Sequence, residues 1–287
     1  MKVGILGSGF GLYGYLPAFL GLGMDVSTLQ RYKQKIDGRS ELSGLLGKVK
    51  FFSTEEEILS SCEIIAIARN PSSQTTFIEG LDSTFTHLFL EKPLASSVKE
   101  QEKCLERLIS LKQNFSIAYL FKYCQWWQKT KDSLNSSKAS SIVILWAVPK
   151  SVDNWKSLES EGGGIGSYYA VHLIPLIHDL GFDFEIQDFS GDSDLSIVAK
   201  NLVGLTLKIR VFRDDNQKFM IYEDLGFSKN IIYEAQTPFG EVGRKGIADS
   251  RVPVLMNYIL DKLENSYFLA ECSVETEILR FRRQLLI

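Results

Sequence analysis

The sequence predicts an α/β chain. A doubly wound parallel sheet spans residues 1–121, and an α+β domain with a mostly antiparallel, open-faced sheet spans 122–287. Three observations carry this. Short, largely apolar strand candidates alternate with helical segments up to about Phe121, as in a parallel sheet covered on both faces. A glycine-rich stretch, GSGFGLYG, directly follows the first apolar run. After Phe121, strand candidates come in succession and alternate in polarity.

In the first half, Lys2–Gly7 reads as a buried strand and Leu12–Leu22 as the helix after it. Asp25–Arg31 and Val49–Phe52 are the next strands. Thr54 opens a helix with Glu55, Glu56 and Glu57 in its first turn, where carboxylates suit the helix dipole. Cys62–Ala68 (CEIIAIA) and His87–Leu90 are further strands, Ser96–Lys112 is a long amphipathic helix, and Phe115–Leu120 closes the sheet. His87, at the start of its strand, is expected to be exposed.

In the second half, strands are predicted at Ser141–Val148, Leu195–Lys200, Leu205–Phe212, Lys218–Tyr222 and Asn230–Ala235. In Leu205–Phe212, Leu205, Leu207, Ile209 and Val211 alternate with Thr206, Lys208, Arg210 and Phe212, the period of a sheet with one buried face. Helices are predicted at Ile165–Leu180 and Val252–Glu264. Trp126 and Trp127 are expected to pack in the core.

Composition narrows the function. With 32 basic and 35 acidic residues the net charge is -3, so no basic field gathers nucleic acid or anionic lipid. Cys62, Cys104, Cys124 and Cys272 are scattered, which suits reduced thiols rather than a disulfide frame or a metal site. Val3–Met24 lacks charge, yet its seven glycines and Pro17 fit a strand, a turn and a helix rather than a membrane span. The protein is therefore read as cytoplasmic.

The glycine stretch has a physical use. Gly7 supplies a tight turn after a strand, and Gly9 lets a pyrophosphate approach the backbone. The following helix N-terminus then offers N–H groups to that anion. This is the Rossmann arrangement. The third glycine of GxGxxG falls at Leu12, with Gly11 and Gly14 on either side to do its packing job. At the end of the second strand, a dinucleotide site for NAD carries an acidic residue on the ribose. Here Gln30 and Arg31 stand there, with Lys33 and Lys35 following. Arg31 suits a 2′-phosphate, so the cofactor expectation is NADP or NAD, leaning to NADP. The alternative is that Arg31 stacks on adenine or faces solvent.

Four stretches in order resemble the glucose–fructose oxidoreductase, inositol dehydrogenase and rhizopine-catabolism (Gfo/Idh/MocA) oxidoreductases. They are GSGFGLYGYLPAF (Gly7–Phe19), Asn70-Pro71, Glu91-Lys92-Pro93, and GGGIGSYYAVHLIPL (Gly162–Leu176). The resemblance implies hydride transfer between a nicotinamide dinucleotide and a sugar, cyclitol or nucleotide-sugar-like substrate. It places Gly7, Gly9, Phe10, Gly11, Gln30, Arg31, Asn70, Pro71, Glu91 and Lys92 at the cofactor. It places Trp155, Tyr168, His172 and Lys92 at the substrate, with Lys92, His172 and possibly Tyr168 as acid–base groups. It implies that Pro93 sets Lys92 through an unusual peptide geometry, and that the second sheet makes a homodimer or homotetramer. No metal is implied.

The chain departs from the family pattern. Tyr168 replaces an aspartate four residues before His172, and Pro175 replaces one three residues after it. Tyr15 and Gln74 stand where histidines are usual. A tyrosine with an ordinary pKa near 10 is a poor base at neutral pH. Tyr168 and His172, at i and i+4, are expected on one helix face, and Pro175 to kink that helix. The readings left open are a variant Lys92–Tyr168–His172 acid–base set, a substrate needing less proton relay, and a catalytically silent dinucleotide-binding sensor or interaction module.

Overall fold

In a computed structural model, which describes residues 1–136, 141–150, 154–240, 248–265 and 268–286, the apolar runs of the first half form one sheet. Its strands are β1 (Lys2–Leu6), β2 (Asp25–Leu29), β3 (Val49–Phe52), β4 (Ile64–Ile67), β5 (His87–Leu90) and β6 (Phe115–Ile117). They run in the order β3-β2-β1-β4-β5-β6, and every pairing is parallel. Every residue of β4, β5 and β6 is buried, and all but His87 and Ser116 are apolar, as in a sheet covered on both faces. His87, expected at the surface, is buried with its strand and bonds Ser116 Oγ at 3.0 Å. All the strands point the same way, so the loops after β1, β2 and β4 share one edge. The strand order reverses beside β1, at the point where open α/β sheets take their ligands.

The helices of this half are α1 (Leu16–Gly21), α2 (Lys33–Asp37), α3 (Ser40–Ser43), α4 (Glu55–Ser61), α5 (Pro71–Glu79) and α6 (Val98–Ser110). The helix expected from Leu12 begins instead as a π-helical turn, Gly11–Tyr15, that passes into α1. α4 carries a full capping box, in which Thr54 accepts from the Glu57 backbone and Glu57 reaches back to Thr54. α6 buries Gln101, Cys104, Leu105 and Leu108, the spacing of one helical face.

The second sheet contains β7 (Ser141–Pro149), β8 (Asp183–Phe189), β9 (Asp194–Lys200), β10 (Thr206–Asp214), β11 (Lys218–Asp224) and β12 (Lys229–Ala235), in the order β12-β11-β7-β10-β9-β8. β7 and β10 are parallel, and the other pairings are antiparallel. In β10, Leu207, Ile209 and Val211 are buried while Lys208 and Arg210 face solvent. Helices α7 (Gln125–Ser136) and α8 (Ile174–Asp179) also lie in this half, and α9 (Val252–Glu264) and α10 (Phe268–Gln284) follow it.

The chain divides into two compact units. One comprises Met1–Ala95, Lys99–Ala118 and Val242–Cys272, and the other Ser96–Val98, Tyr119–Glu241 and Ser273–Ile287. The change of unit at Tyr119 lies close to the boundary expected after 121. The later return of the chain to the first unit was not expected. α9 packs against α1, and Tyr258 extends a run of rings through Tyr15, Phe19 and Phe89 at centroid spacings of 5.7–5.9 Å. The second unit has its own aromatic core, in which Phe121, Trp126, Trp146 and Phe219 meet. Trp126 and Trp127 are both buried. No helix among the described residues is long and apolar enough to cross a membrane.

Candidate functional site

The first unit brings its predicted residues to the carboxyl edge of the parallel sheet. Gly7 has φ +145°, and a Cβ there would lie 2.1 Å from the Ala68 carbonyl oxygen, so no other residue fits the turn. At Gly9 a Cβ would meet nothing within 4 Å, which is the open space that a pyrophosphate approaching the backbone requires. A Cβ at Gly14 would lie 2.2 Å from the Phe10 ring, and one at Gly11 would lie 3.1 Å from Ile5 of β1 and 3.2 Å from Ala68, so Gly11 supplies the close packing on the sheet expected of the third motif position. Phe10 lies beneath the guanidinium of Arg251, 4.1 Å from the ring centroid, and Asp249 holds that arginine. Lys35 Nζ reaches Ser8 Oγ in the turn at 3.1 Å.

Gln30 and Arg31 lie in a 3₁₀ turn immediately after β2. Arg31 pairs with Glu55 at 2.9 Å, and Arg69, after β4, pairs with the same carboxylate at 2.5 Å. Burial pushes the Glu55 pKa up, but Arg69 and Arg31 outweigh it, so the carboxyl sits below the usual range. Asn70 caps α5 by accepting from Ser73 N at 2.9 Å, with Pro71 buried at the first helical position.

Lys92 is buried, and its bond to Pro93 is cis. Gln74, noted in the sequence only as a departure, clamps this segment. Its Nε2 donates to the carbonyls of Glu91 (2.7 Å) and Leu94 (3.0 Å), and its Oε1 accepts from Glu91 N (2.9 Å). Tyr15 is buried beneath it. Burial raises its pKa well above the usual value, and the negative charge of Glu91 adds to the rise.

The second unit holds Trp155, Tyr168 and His172. Gly162 and Gly164 have φ of +82° and +84°, and a Cβ at Gly163 would lie 2.4 Å from the Trp155 carbonyl oxygen. The glycines thus fold back on the Trp155–Lys156 backbone. Asp192 accepts from Ile165 N at 2.8 Å and binds Arg213 through both oxygens at 2.7 Å; the Arg213 guanidinium lies over Tyr169. This network ties the glycine segment to β10.

The continuous helix expected over Ile165–Leu180 is not formed. A π-helical turn (Ile165–Tyr169) passes into a 3₁₀ turn (Ala170–His172) and then α8. Pro175 therefore kinks nothing. It sits in the first turn of α8, where its missing N–H is not needed. Nor do Tyr168 and His172 keep an i,i+4 relation. Tyr168 meets Trp155 edge-on at 5.4 Å, with Lys156 Nζ 5.3 Å from its ring. His172 is buried, stacked on Phe121 at 4.5 Å and edge-on to Tyr119. The rings of Tyr169 and Trp146 link the two.

Glu55, Arg69, Asp192, Arg213 and Arg251 belong to none of the site motifs in the sequence. Of these only Glu55, directly after a strand in a helix first turn, carried a local signal. Among the described residues no group of three or more His, Cys, Asp or Glu is placed to hold a metal ion.

No family model matches the chain, and no curated protein matches it in sequence. Solved structures match its fold over essentially the whole length. A myo-inositol dehydrogenase from Corynebacterium glutamicum has a TM-score of 0.67 at 12% identity, covering 100% of this chain and 95% of that one. A UDP-N-acetylglucosamine 3-dehydrogenase from Acidithiobacillus ferrooxidans gives 0.63 at 13%, covering 99% and 97%. The WlbA dehydrogenase from Thermus thermophilus, solved with NAD and UDP-GlcNAcA, gives 0.65 at 14%, covering 100% and 94%. The chain has the fold of these sugar and inositol dehydrogenases: a parallel six-stranded sheet of Rossmann type and a second, mostly antiparallel sheet.

Proposed function

We propose that this protein is a nicotinamide-dinucleotide-dependent oxidoreductase of the Gfo/Idh/MocA type, acting on a CH–OH group of a sugar, cyclitol or nucleotide-sugar-like substrate. The observation that carries the reading is the Gly7–Gly9 turn on the same sheet edge as a buried, clamped Lys92. The turn, with Phe10, Gly11, Gln30, Arg31, Asn70, Pro71 and Glu91, holds the dinucleotide. A nicotinamide held there would supply hydride chemistry at the substrate carbon. Lys92 Nζ hydrogen-bonds the substrate oxygen and stabilises developing negative charge on it as its proton leaves. His172 and Tyr168 take part in that proton transfer, and Trp155 lines the substrate side. The second sheet forms a homodimer or homotetramer interface. The scattered cysteines, with no CxxC pair, suit a reducing compartment, the cytoplasm.

One observation favours a second reading, a dinucleotide-binding protein that transfers no hydride. His172 lies buried against Phe121, and Tyr168 stands where an aspartate would charge the relay. Two measurements separate the readings. NAD or NADP raises the melting temperature under both. Only the enzyme reading gives reduced-cofactor absorbance with a panel of sugars, inositols and nucleotide sugars. Lys92→Ala then abolishes that turnover without weakening dinucleotide binding. Failure of both dinucleotides to stabilise the protein overturns both readings.

A further inference from the structure

Three charged side chains link the loops at the carboxyl edge of the first sheet. Arg31 follows β2, Glu55 opens α4 after β3, and Arg69 follows β4. Glu55 Oε1 accepts a hydrogen bond from Arg31 Nη2 at 2.9 Å, and Oε2 forms an ion pair with Arg69 Nη2 at 2.5 Å. In the order β3-β2-β1-β4, the Gly7–Gly9 turn after β1 lies between the loops that carry the two arginines. The ion pair of Arg69 with Glu55 therefore joins the loop after β4 to the loop after β3, across the ends of β1 and β2. In sheets of this kind the adenosine ribose is read at the end of the second strand: a carboxylate there accepts from a free 2′-hydroxyl, and an arginine takes a 2′-phosphate. The end of β2 itself offers Gln30 and Arg31. The carboxylate comes from the next strand over, and it engages both arginines.

We propose that Glu55 is the specificity-determining residue of this edge: it occupies Arg31 and Arg69, disfavours a 2′-phosphate, and selects NAD over NADP. The inference rests on reading the first unit as a dinucleotide site. It reverses the leaning toward NADP drawn from Arg31, because that leaning treated the arginine as unpaired. Other cations stand near the turn, namely Lys35 on Ser8 and Arg39 over the Tyr13 ring. They are unchanged when Glu55 is substituted, so the ratio of affinities isolates its contribution.

The test compares dissociation constants of NAD and NADP, by calorimetry, for the full chain, Glu55→Gln and Glu55→Gln/Arg31→Ala. Glu55→Gln leaves the Thr54–Glu57 capping box in place, so the fold is kept. The wild-type chain is expected to bind NAD more tightly. Glu55→Gln is expected to move the ratio toward NADP by about tenfold or more, which corresponds to about 1.4 kcal/mol. The double variant is expected to return part of that shift, since Arg69 stays released from Glu55. A wild-type preference for NADP overturns the inference. So does a ratio that stays within about twofold in Glu55→Gln while NAD still binds. If neither dinucleotide binds the wild-type chain, the dinucleotide reading itself falls, and this inference with it.

Discussion

Gln74 is fully buried, and both ends of its amide are used. Gln74→Ala removes the hydrogen bonds to Glu91 N–H and to the carbonyls of Glu91, Pro93 and Leu94 around Lys92. It is expected to cost about 2–3 kcal/mol in urea unfolding and, in an active enzyme, to lower turnover more than dinucleotide affinity. Unfolding at wild-type urea concentrations would show the clamp to be dispensable. His87 carries a pH prediction. Burial pushes its pKa down to about 4, with Lys262 adding repulsion. The folded chain keeps the ring neutral, whereas the unfolded chain titrates near 6.5. Stability is therefore full above pH 6.5 and is lost as pH falls toward 4, by about 3 kcal/mol in all. His87→Gln should flatten that part of the stability–pH curve, and an unchanged curve would assign the loss to other groups. The pairings of Gln74 with the Glu91 segment and of Arg31 with Glu55 were illegible in sequence. Each joins residues 17 or 24 positions apart whose meeting depends on strand neighbours.

The glycine turn shows what an element demands. The sequence assigns Gly7 and Gly9 different tasks, and their surroundings differ: a Cβ at Gly7 meets the Ala68 carbonyl, whereas one at Gly9 meets nothing within 4 Å. Gly7→Ala is expected to destabilise the chain by several kcal/mol, since it combines a clash with a backbone conformation that L side chains avoid. Gly9→Ala should change the melting temperature of the ligand-free protein little but abolish the shift produced by NAD. Equal loss of stability in both variants would remove the distinction. The second glycine segment was legible as a landmark but not as a conformation. Periodicity implied one helix over Ile165–Leu180, whereas the chain forms a π-helical turn, a 3₁₀ turn and α8. β8 went unread because charged residues at Asp183, Glu185 and Asp188 mask the alternation of Phe184 and Ile186.

At the scale of the molecule, the first unit is completed by residues far along the chain. Tyr258 of α9 is buried against Phe89, 5.8 Å between ring centroids. Tyr258→Ala is expected to destabilise that unit by about 3 kcal/mol or more, as for other buried aromatics. The check is a loss of melting temperature that bound NAD partly restores. A variant that melts like the wild type would mean that α9 contributes nothing to this unit. Local chemistry was enough to determine much of this protein. The apolar runs of β1, β4 and β5 specify a covered parallel sheet, the alternation in β10 specifies one buried face, and the Gly7–Gly9 spacing specifies a turn open to a ligand. These are properties of neighbouring residues, and the physics that sets them acts over a few positions. Tertiary structure alone decided which charges meet. Arg31 reads as an unpaired cation until β3 lies beside β2 and brings Glu55 to it, and α9 reads as part of the second half until its apolar face finds α1. Both depend on which surfaces come together in the folded chain, and that is a property of the whole sequence rather than of any stretch of it.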